Sequence, residues 1–289
     1  MLGLLALLAA IIAWGFGDFS IQKSTRAFGD VRTLIFIGLT GIIGLFPFVY
    51  NEIAVLFQDS ARLLLLSATG VVIFAAAILD FEALRRGKIA VIEPVLSFEL
   101  PIAVALAAVF LGERLTPVQF VLAATTFSGI ILSVTQHHRH LMYHRRLLEP
   151  GVIFAIVGAI VMGGVNFLVG LSSQQTSPVM AIWFTNIVFT LLSLVYLVWR
   201  GEVRHLFKGV AKNPLPVISV CIFDNAAWLL FAVAVTYIPI AIATTISESY
   251  IALAVLLGLF INKEKLQHHQ YAGVIIAIVS VILLSLTVS

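Results

Sequence analysis

The sequence predicts an all-α integral membrane protein with ten transmembrane helices arranged as two inverted five-helix repeats. The prediction depends on composition, on apolar stretches of membrane-spanning length and on a weak internal repeat. Of the 289 residues, 61% are hydrophobic and 11% are charged, against roughly 25% charged in soluble proteins. This small number of charged residues could not cover the apolar core that such a sequence would form in water. We therefore expect the protein to be surrounded by lipid.

Each apolar stretch is long enough to cross the hydrocarbon, which takes about 20 residues as a helix. Polar segments separate the stretches, and the longest connection, 136–150, lies near the middle of the chain. We therefore divide the chain into a first five-helix repeat (1–135), a central basic His-rich loop (136–150) and a second five-helix repeat (151–289). The predicted spans are Leu2 to Ile21, Thr33 to Tyr50, Leu63 to Leu84, Ile89 to Leu111, Pro117 to Thr135, Gly151 to Leu171, Pro178 to Trp199, Pro214 to Thr236, Ile240 to Ile261 and Gln267 to Leu286.

The internal repeat consists of five identities at a constant offset of 151 residues around predicted helices 4 and 9. Both sets end in a charged connection after the helix. Because each half has an odd number of crossings, the halves are inverted relative to each other, an arrangement typical of repeat-built transporters. The matched pairs are Ala83 with Ala234, Ile89 with Ile240, Ala90 with Ala241, Glu113 with Glu264, and Leu115 with Leu266.

The basic residues predict how the chain is oriented in the membrane. Fifteen of the 17 Lys and Arg residues lie in the connections on one face, and only Arg62 and Arg114 lie on the other. The positive-inside rule places the basic face in the cytoplasm and both termini outside, in a multi-pass protein of the inner cell membrane. The net charge of +3 comes from short clusters that suit lipid headgroups, so the lipid bilayer, and not nucleic acid, is the expected partner.

Three carboxylates lie near the centres of predicted helices: Glu99, Asp224 and Glu248. No Lys or Arg lies at comparable depth. An ionisable group at the centre of a membrane helix costs at least ~2.5–3.5 kcal/mol on insertion scales. These groups are therefore protonated, paired with a bound cation, or exposed to a water-filled cavity. The structural alternative is a protonated carboxyl that hydrogen-bonds to a neighbouring helix.

Predicted helix 4 contains two acids and two prolines, in Glu93-Pro94 and Glu99-Leu100-Pro101. Each proline removes a backbone donor and clashes with the carbonyl one turn earlier, so we expect a kink that frees carbonyl oxygens. Broken helices at mid-depth commonly build transport sites. A kink that serves packing alone is the alternative.

Near the end of predicted helix 1, Trp14 stands one turn before Asp18 on the same face. An aromatic ring and a carboxylate together could hold a cation. Alternatively, Trp14 anchors at the membrane interface and Asp18 caps the helix or pairs with Lys23.

Other polar and aromatic side chains have two interpretations each. Asp80 and Glu82 are expected to form surface ion pairs with Arg85 and Arg86. Five more side chains in apolar helices could line a pathway, or could belong to packing and interface belts. They are Asn166, Trp183, Asn186, Trp228 and Tyr250.

The sequence shows no catalytic motif, and we expect no enzyme activity, cofactor or metal. Cys221 is the only cysteine, which excludes an intramolecular disulfide. A histidine cluster in the central loop could bind a metal, but its spacing fits no closed zinc pattern. Its members are His137, His138, His140 and His144.

The chain resembles the EamA-type members of the drug/metabolite transporter superfamily over essentially its whole length. The resemblance departs from the family where Leu100 separates Glu99 from Pro101 and where Glu248-Ser249-Tyr250 lacks a proline. The matching segments are Ala13-Trp14-Gly15 with Asp18-Phe19, Ala83-Leu84-Arg85-Arg86-Gly87, Glu99 with Pro101, Leu111-Gly112-Glu113-Arg114-Leu115-Thr116, Gly129 and Gly273.

The resemblance implies ten helices around a central substrate cavity, alternating access and export or exchange of small metabolites or drugs. The expected protein is a secondary transporter, an exporter of small polar or cationic, amino-acid-like or drug-like metabolites, acting as a monomer or homodimer. Glu99 is the strongest candidate for proton or substrate coupling, and Glu248, Asp224, Glu93 and Asp18 are the further candidates. The family usually has cytoplasmic termini, opposite to the charge distribution. The alternatives are a membrane-embedded enzyme or lipid-processing protein that uses the His-rich loop, and a passive channel.

Overall fold

The structure, a computed structural model, describes residues 1–87, 89–134, 151–251, 253 and 268–287, and the regular structure within these ranges is entirely helical. Two short 3₁₀ turns, Val203–His205 and Val210–Lys212, precede α10. The helices are α1 (Leu2–Phe28), α2 (Asp30–Val49), α3 (Ile53–Leu56), α4 (Ser60–Arg86), α5 (Ile89–Leu96), α6 (Glu99–Leu111), α7 (Pro117–Val134), α8 (Val152–Gln175), α9 (Pro178–Arg200), α10 (Leu215–Ala234), α11 (Ile240–Ser247) and α12 (His268–Leu286).

Six of the described helices, α1, α2, α4, α8, α9 and α10, are long and apolar enough to cross a membrane. Two shorter apolar helical stretches lie at Glu99–Leu111 and Tyr271–Leu284. Large apolar side chains such as Ile43, Leu64 and Val109 are exposed on the outside of the bundle, as expected where helices contact lipid. These features confirm the prediction of a helical multi-pass membrane protein.

Predicted helix 4 is two helices, because a turn at residues 97 and 98 separates α5 from α6. Pro101 lies in the first turn of α6, where a missing N–H costs no hydrogen bond within the helix. Helix α11 likewise ends at Ser247 and is followed by a turn at residues 248 and 249. The two turns are again 151 residues apart, so the offset found in the sequence also relates the helix breaks.

The long helices pack in pairs that come from opposite halves of the chain. Helix α1 packs on α10, and α8 packs on α4; α2 packs on α9, and α7 packs on α12. In the order of the chain, α1, α2, α4 and α7 of the first half correspond to α8, α9, α10 and α12 of the second half. When every helix is replaced by its counterpart, the same four packed pairs result.

The segment after α6 connects the two halves through Glu113. Gly112 ends α6 with φ +65°, a backbone conformation that favours glycine. The Glu113 carboxylate then accepts hydrogen bonds from the backbone N–H groups of Ile240 and Ala241, both at 2.9 Å. These donors have no partner within α11, so Glu113 caps that helix. The matching Glu264 lies outside the described residues.

The basic face is held together by arginine hydrogen bonds to backbone carbonyls. Arg32 donates to the carbonyls of Leu206 and Lys208 at 2.6–2.9 Å. Arg26 donates to the carbonyl of Gly87 at 2.9 Å. The connections between α1 and α2, α4 and α5, and α9 and α10 therefore lie together on this face.

Candidate functional site

A cavity lies within the bundle, bordered by α1, α2, α4, α5, α6, α8, α9, α10 and the turn after α11, and it encloses about 1000 Å³ including its mouth. Among the described residues, its lining contains no Lys, Arg or His. Its five carboxyl groups belong to Asp18, Asp80, Glu99, Asp224 and Glu248. Four of these five, all except Asp80, were predicted as coupling or substrate-binding candidates.

Glu99 and Glu248 meet at the two helix breaks. Their carboxyl groups are within side-chain hydrogen-bonding reach of each other, and the amide of Asn166 on α8 is within reach of Glu99. Glu99 is 7% exposed and Glu248 is 3% exposed. Glu99 begins α6, where the helix dipole favours a negative charge. The breaks thus place one acid from each half of the chain at a common point.

A second carboxyl pair, Asp18 and Glu93, lies beside Tyr250. The Tyr250 hydroxyl donates to Oε2 of Glu93 over 3.1 Å, and Asp18 is within hydrogen-bonding reach of both. Glu93 is only 1% exposed and lies behind Tyr250, outside the cavity lining. Glu93 is therefore connected to the cavity only through its contacts with Tyr250 and Asp18.

Aromatic side chains form one wall of the cavity next to these acids. The Trp14 ring lies 5.4 Å from Trp228, 5.6 Å from Phe231 and 6.0 Å from Tyr250, measured between ring centroids. Trp14 therefore belongs to the cavity and not to a belt at the membrane interface. Ring faces beside carboxylates suit a cation that also carries apolar surface.

Two asparagines connect α9 and α10 at the cavity. The Asn186 amide donates to Oδ1 of Asn225 at 3.1 Å. Asn225 in turn donates to the carbonyls of Ile37 and Cys221. Asn186 was predicted and Asn225 was not, although an Asp-Asn pair inside an apolar helix was a signal that could have revealed it.

The predicted ion pair with Arg85 and Arg86 is correct for Glu82, although Glu82 is only 8% exposed, and it is wrong for Asp80. Glu82 pairs with Arg85 and Arg86. Asp80 is 6% exposed, lines the cavity and makes no hydrogen bond or ion pair with a described residue. Residues two apart on a helix do not share a face, so Asp80 points inward when Glu82 points to the basic face.

Other candidates lie elsewhere. Trp183 donates its indole N–H to the Ile42 carbonyl at 3.0 Å and packs on α2, away from the cavity lining. Pro101 is exposed, and Pro94 lies within α5. Lys23 lies 4.1 Å from the centre of the Phe19 ring and makes no ion pair with Asp18 among the described residues.

The histidine cluster of the central loop lies outside the described residues. Within the described ranges, no group of three or more His, Cys, Asp or Glu side chains is arranged to hold a metal ion.

The fold and the cavity define a helical membrane protein with an acidic site enclosed by helices from both halves of the chain. The model of the EamA-like transporter family matches residues 1–135 and 149–286, so the chain belongs to this family and to the drug/metabolite transporter superfamily. No curated protein matches it. A protein of known crystal structure is similar to it at 16% sequence identity, covering 99% of this chain and 96% of that one with a TM-score of 0.73. At this identity the likeness shows the fold alone.

Proposed function

We propose that this protein is a secondary active transporter that exports small polar or cationic metabolites, amino-acid-like or drug-like, in exchange for protons. Transport occurs by alternating access in a bundle of ten helices built as two inverted five-helix repeats. The protein resides in the inner cell membrane with its basic face in the cytoplasm. Membership of the EamA-like transporter family supports transport itself.

The observation that carries the proposal is a cavity with five carboxyl groups and no described cationic side chain in its lining. Two unit charges 4 Å apart repel by about 4 kcal/mol at an effective dielectric constant of 20. The carboxyl groups therefore cannot all be ionised in an empty cavity. Protons or a bound cation must neutralise them, and competition between the two for the same oxygens is a basis for exchange.

The helix breaks supply the geometry for alternating access. Glu99 follows one break and Glu248 lies in the other, and the two breaks come from opposite halves of the chain. The long helices pack in pairs, and exchanging the two halves gives the same pairs. The same contacts can therefore form whether the halves tilt toward one side of the membrane or toward the other. This packing supports inverted repeats around a site at mid-depth.

The experiment is untargeted metabolite profiling of the medium from cells that express wild type, Glu99→Gln or Glu202→Gln. Glu202 is exposed and lies in the connection after α9, outside the cavity, so its variant controls for loss of a carboxylate. We expect one compound class to accumulate with wild type and Glu202→Gln, but not with Glu99→Gln. Identical profiles for all three and for cells without the protein, with each protein present in the membrane, would overturn export.

A further inference from the structure

We propose that the cavity binds a short linear diamine, with one ammonium group at Glu99 and Glu248 and the other at Asp80. This assignment rests on the proposed function and names the substrate class of the same site. It depends on the unpartnered carboxylates of the cavity and on their spacing along α8.

One cavity acid, Asp80, and one carboxyl oxygen of a second, Glu248, lack partners among the described residues despite deep burial. Asp80, 6% exposed, has no hydrogen bond or ion pair to a described residue, and Oε2 of the 3% exposed Glu248 also has no partner. Buried carboxylates are normally hydrogen-bonded or paired, because an unpaired buried charge is costly. Each of these groups can therefore accept hydrogen bonds from a ligand.

The separation between the Asp80 end and the Glu99 end of the cavity can be estimated along helix α8. Oδ1 of Asp80 lies against Gly158, at the position where a side chain on that residue would begin. The Glu99 carboxyl is within reach of the Asn166 side chain. These α8 positions are eight residues apart, at most about 12 Å along the helix at 1.5 Å per residue. The Glu99 carbonyl lies against Gly163, which is five residues or about 7.5 Å from Gly158, so the two carboxyl ends are about 7.5–12 Å apart along α8. Subtracting about 2.8 Å for an ammonium–carboxylate hydrogen bond at each end leaves about 2–6 Å between the two nitrogens, the range of diamines with two to four carbons.

The apolar part of the cavity lining suits the alkyl chain. Ile73, Ala77 and Val165 line the same cavity as the acids, and the Trp14 ring lies 6.0 Å from Tyr250, two residues after Glu248. An amino acid would bring its own carboxylate into this acidic cavity, where no described basic side chain could pair with it. A diamine has no such group, so charge complementarity favours it.

The test is equilibrium binding of radiolabelled 1,4-diaminobutane to the purified full-length protein in lipid nanodiscs, with unlabelled 1-aminobutane and 1,2-diaminoethane as competitors. We expect 1,4-diaminobutane to bind at least tenfold more tightly than 1-aminobutane, and 1,2-diaminoethane to compete more strongly than 1-aminobutane, because each diamine can place one ammonium group at each end. Asp80→Asn should reduce the affinity for 1,4-diaminobutane to that of 1-aminobutane and leave the affinity for 1-aminobutane unchanged. Glu202→Gln should bind all three amines like wild type.

Equal affinities for 1-aminobutane and 1,4-diaminobutane, or an unchanged ratio in Asp80→Asn, would overturn the diamine assignment. Because a folding defect could mimic the loss, Asp80→Glu provides a second variant, which should keep a preference for diamines and shift it toward a shorter chain. Export of another compound class in the profiling experiment, with no diamine binding, would reject this inference and leave the proposed function intact. Absence of any exported compound would reject the proposed function itself.

Discussion

The Tyr250 hydroxyl donates a hydrogen bond of 3.1 Å to Oε2 of Glu93, which joins the turn after α11 to α5. Tyr250 also lies 6.0 Å from the Trp14 ring, so one side chain connects a buried acid, the aromatic wall and the second helix break. The site is thus built across both halves of the chain.

Replacing Tyr250 by Phe should reduce transport strongly while preserving the fold. The ring and its contact with Trp14 remain, but Glu93 loses a donor in a site that is 1% exposed. A buried acceptor without its partner costs about 1–3 kcal/mol. Thermal unfolding of the detergent-purified protein should therefore begin at a lower temperature than for wild type. Tyr196→Phe, on α9 outside the cavity lining, is the control; an equal loss in both variants would contradict a specific role for the Tyr250 hydroxyl.

Removing the Glu113 carboxylate should destabilise α11. Glu113→Ala leaves the N–H groups of Ile240 and Ala241 without their 2.9 Å acceptors, and the loss of a helix cap costs about 0.5–2 kcal/mol. Because α11 leads into the Glu248 turn, transport should fall along with thermal stability. Glu202→Ala removes an exposed carboxylate that lies 3.5 Å from Arg200 and should leave both properties unchanged. Wild-type stability in Glu113→Ala would show that the cap is dispensable.

Two adjacent glycines of α8 provide a matched pair of variants. A Cβ on Gly163 would lie 2.7 Å from the Glu99 carbonyl and from Ile102, whereas a Cβ on Gly164 would meet nothing within 4 Å. Gly163→Ala should push α6 away and displace Glu99, at a cost of about 1–3 kcal/mol for overpacking. Gly164→Ala should be neutral or slightly stabilising, since alanine favours helix. Transport assays of the two variants check this, and equal activity in both would contradict close packing at Glu99.

The orientation of the chain can be measured by cysteine accessibility. Cys221 is buried and can be replaced by Ser, after which single cysteines are placed at Lys208 on the basic face and at Glu52 on the opposite face. Because the basic face should lie in the cytoplasm, an impermeant thiol reagent added to intact cells should label Glu52→Cys and not Lys208→Cys. The reverse pattern would place the termini in the cytoplasm.

The sequence predicted the long helices well, because a run of apolar residues of spanning length has few alternatives to a membrane helix. Helix α1 nevertheless continues to Phe28, seven residues beyond the predicted end at Ile21, because the end of an apolar run does not by itself end a helix. The short α3, Ile53–Leu56, was not predicted, since four residues carry no periodic signal.

The candidate site was predicted less completely, because its assembly depends on which way side chains face. Glu99, Glu248, Asp224 and Asp18 were identified as acids at depth in apolar sequence. Asp80 was assigned to the surface because Arg85 and Arg86 follow it closely in sequence. The position of Trp183 against α2 depends on packing between distant helices, which sequence spacing does not show.

The most direct test of the central claim is proton-driven transport by the purified protein in liposomes, using a compound identified by profiling. With a pH gradient imposed, wild type should accumulate the compound against its concentration, and Glu99→Gln should only exchange it down its gradient. Glu248 remains in Glu99→Gln to hold the substrate, so exchange that persists in this variant shows that it is folded and still binds the compound. Gradient-driven accumulation by Glu99→Gln at the wild-type rate would contradict the assignment of proton coupling to Glu99.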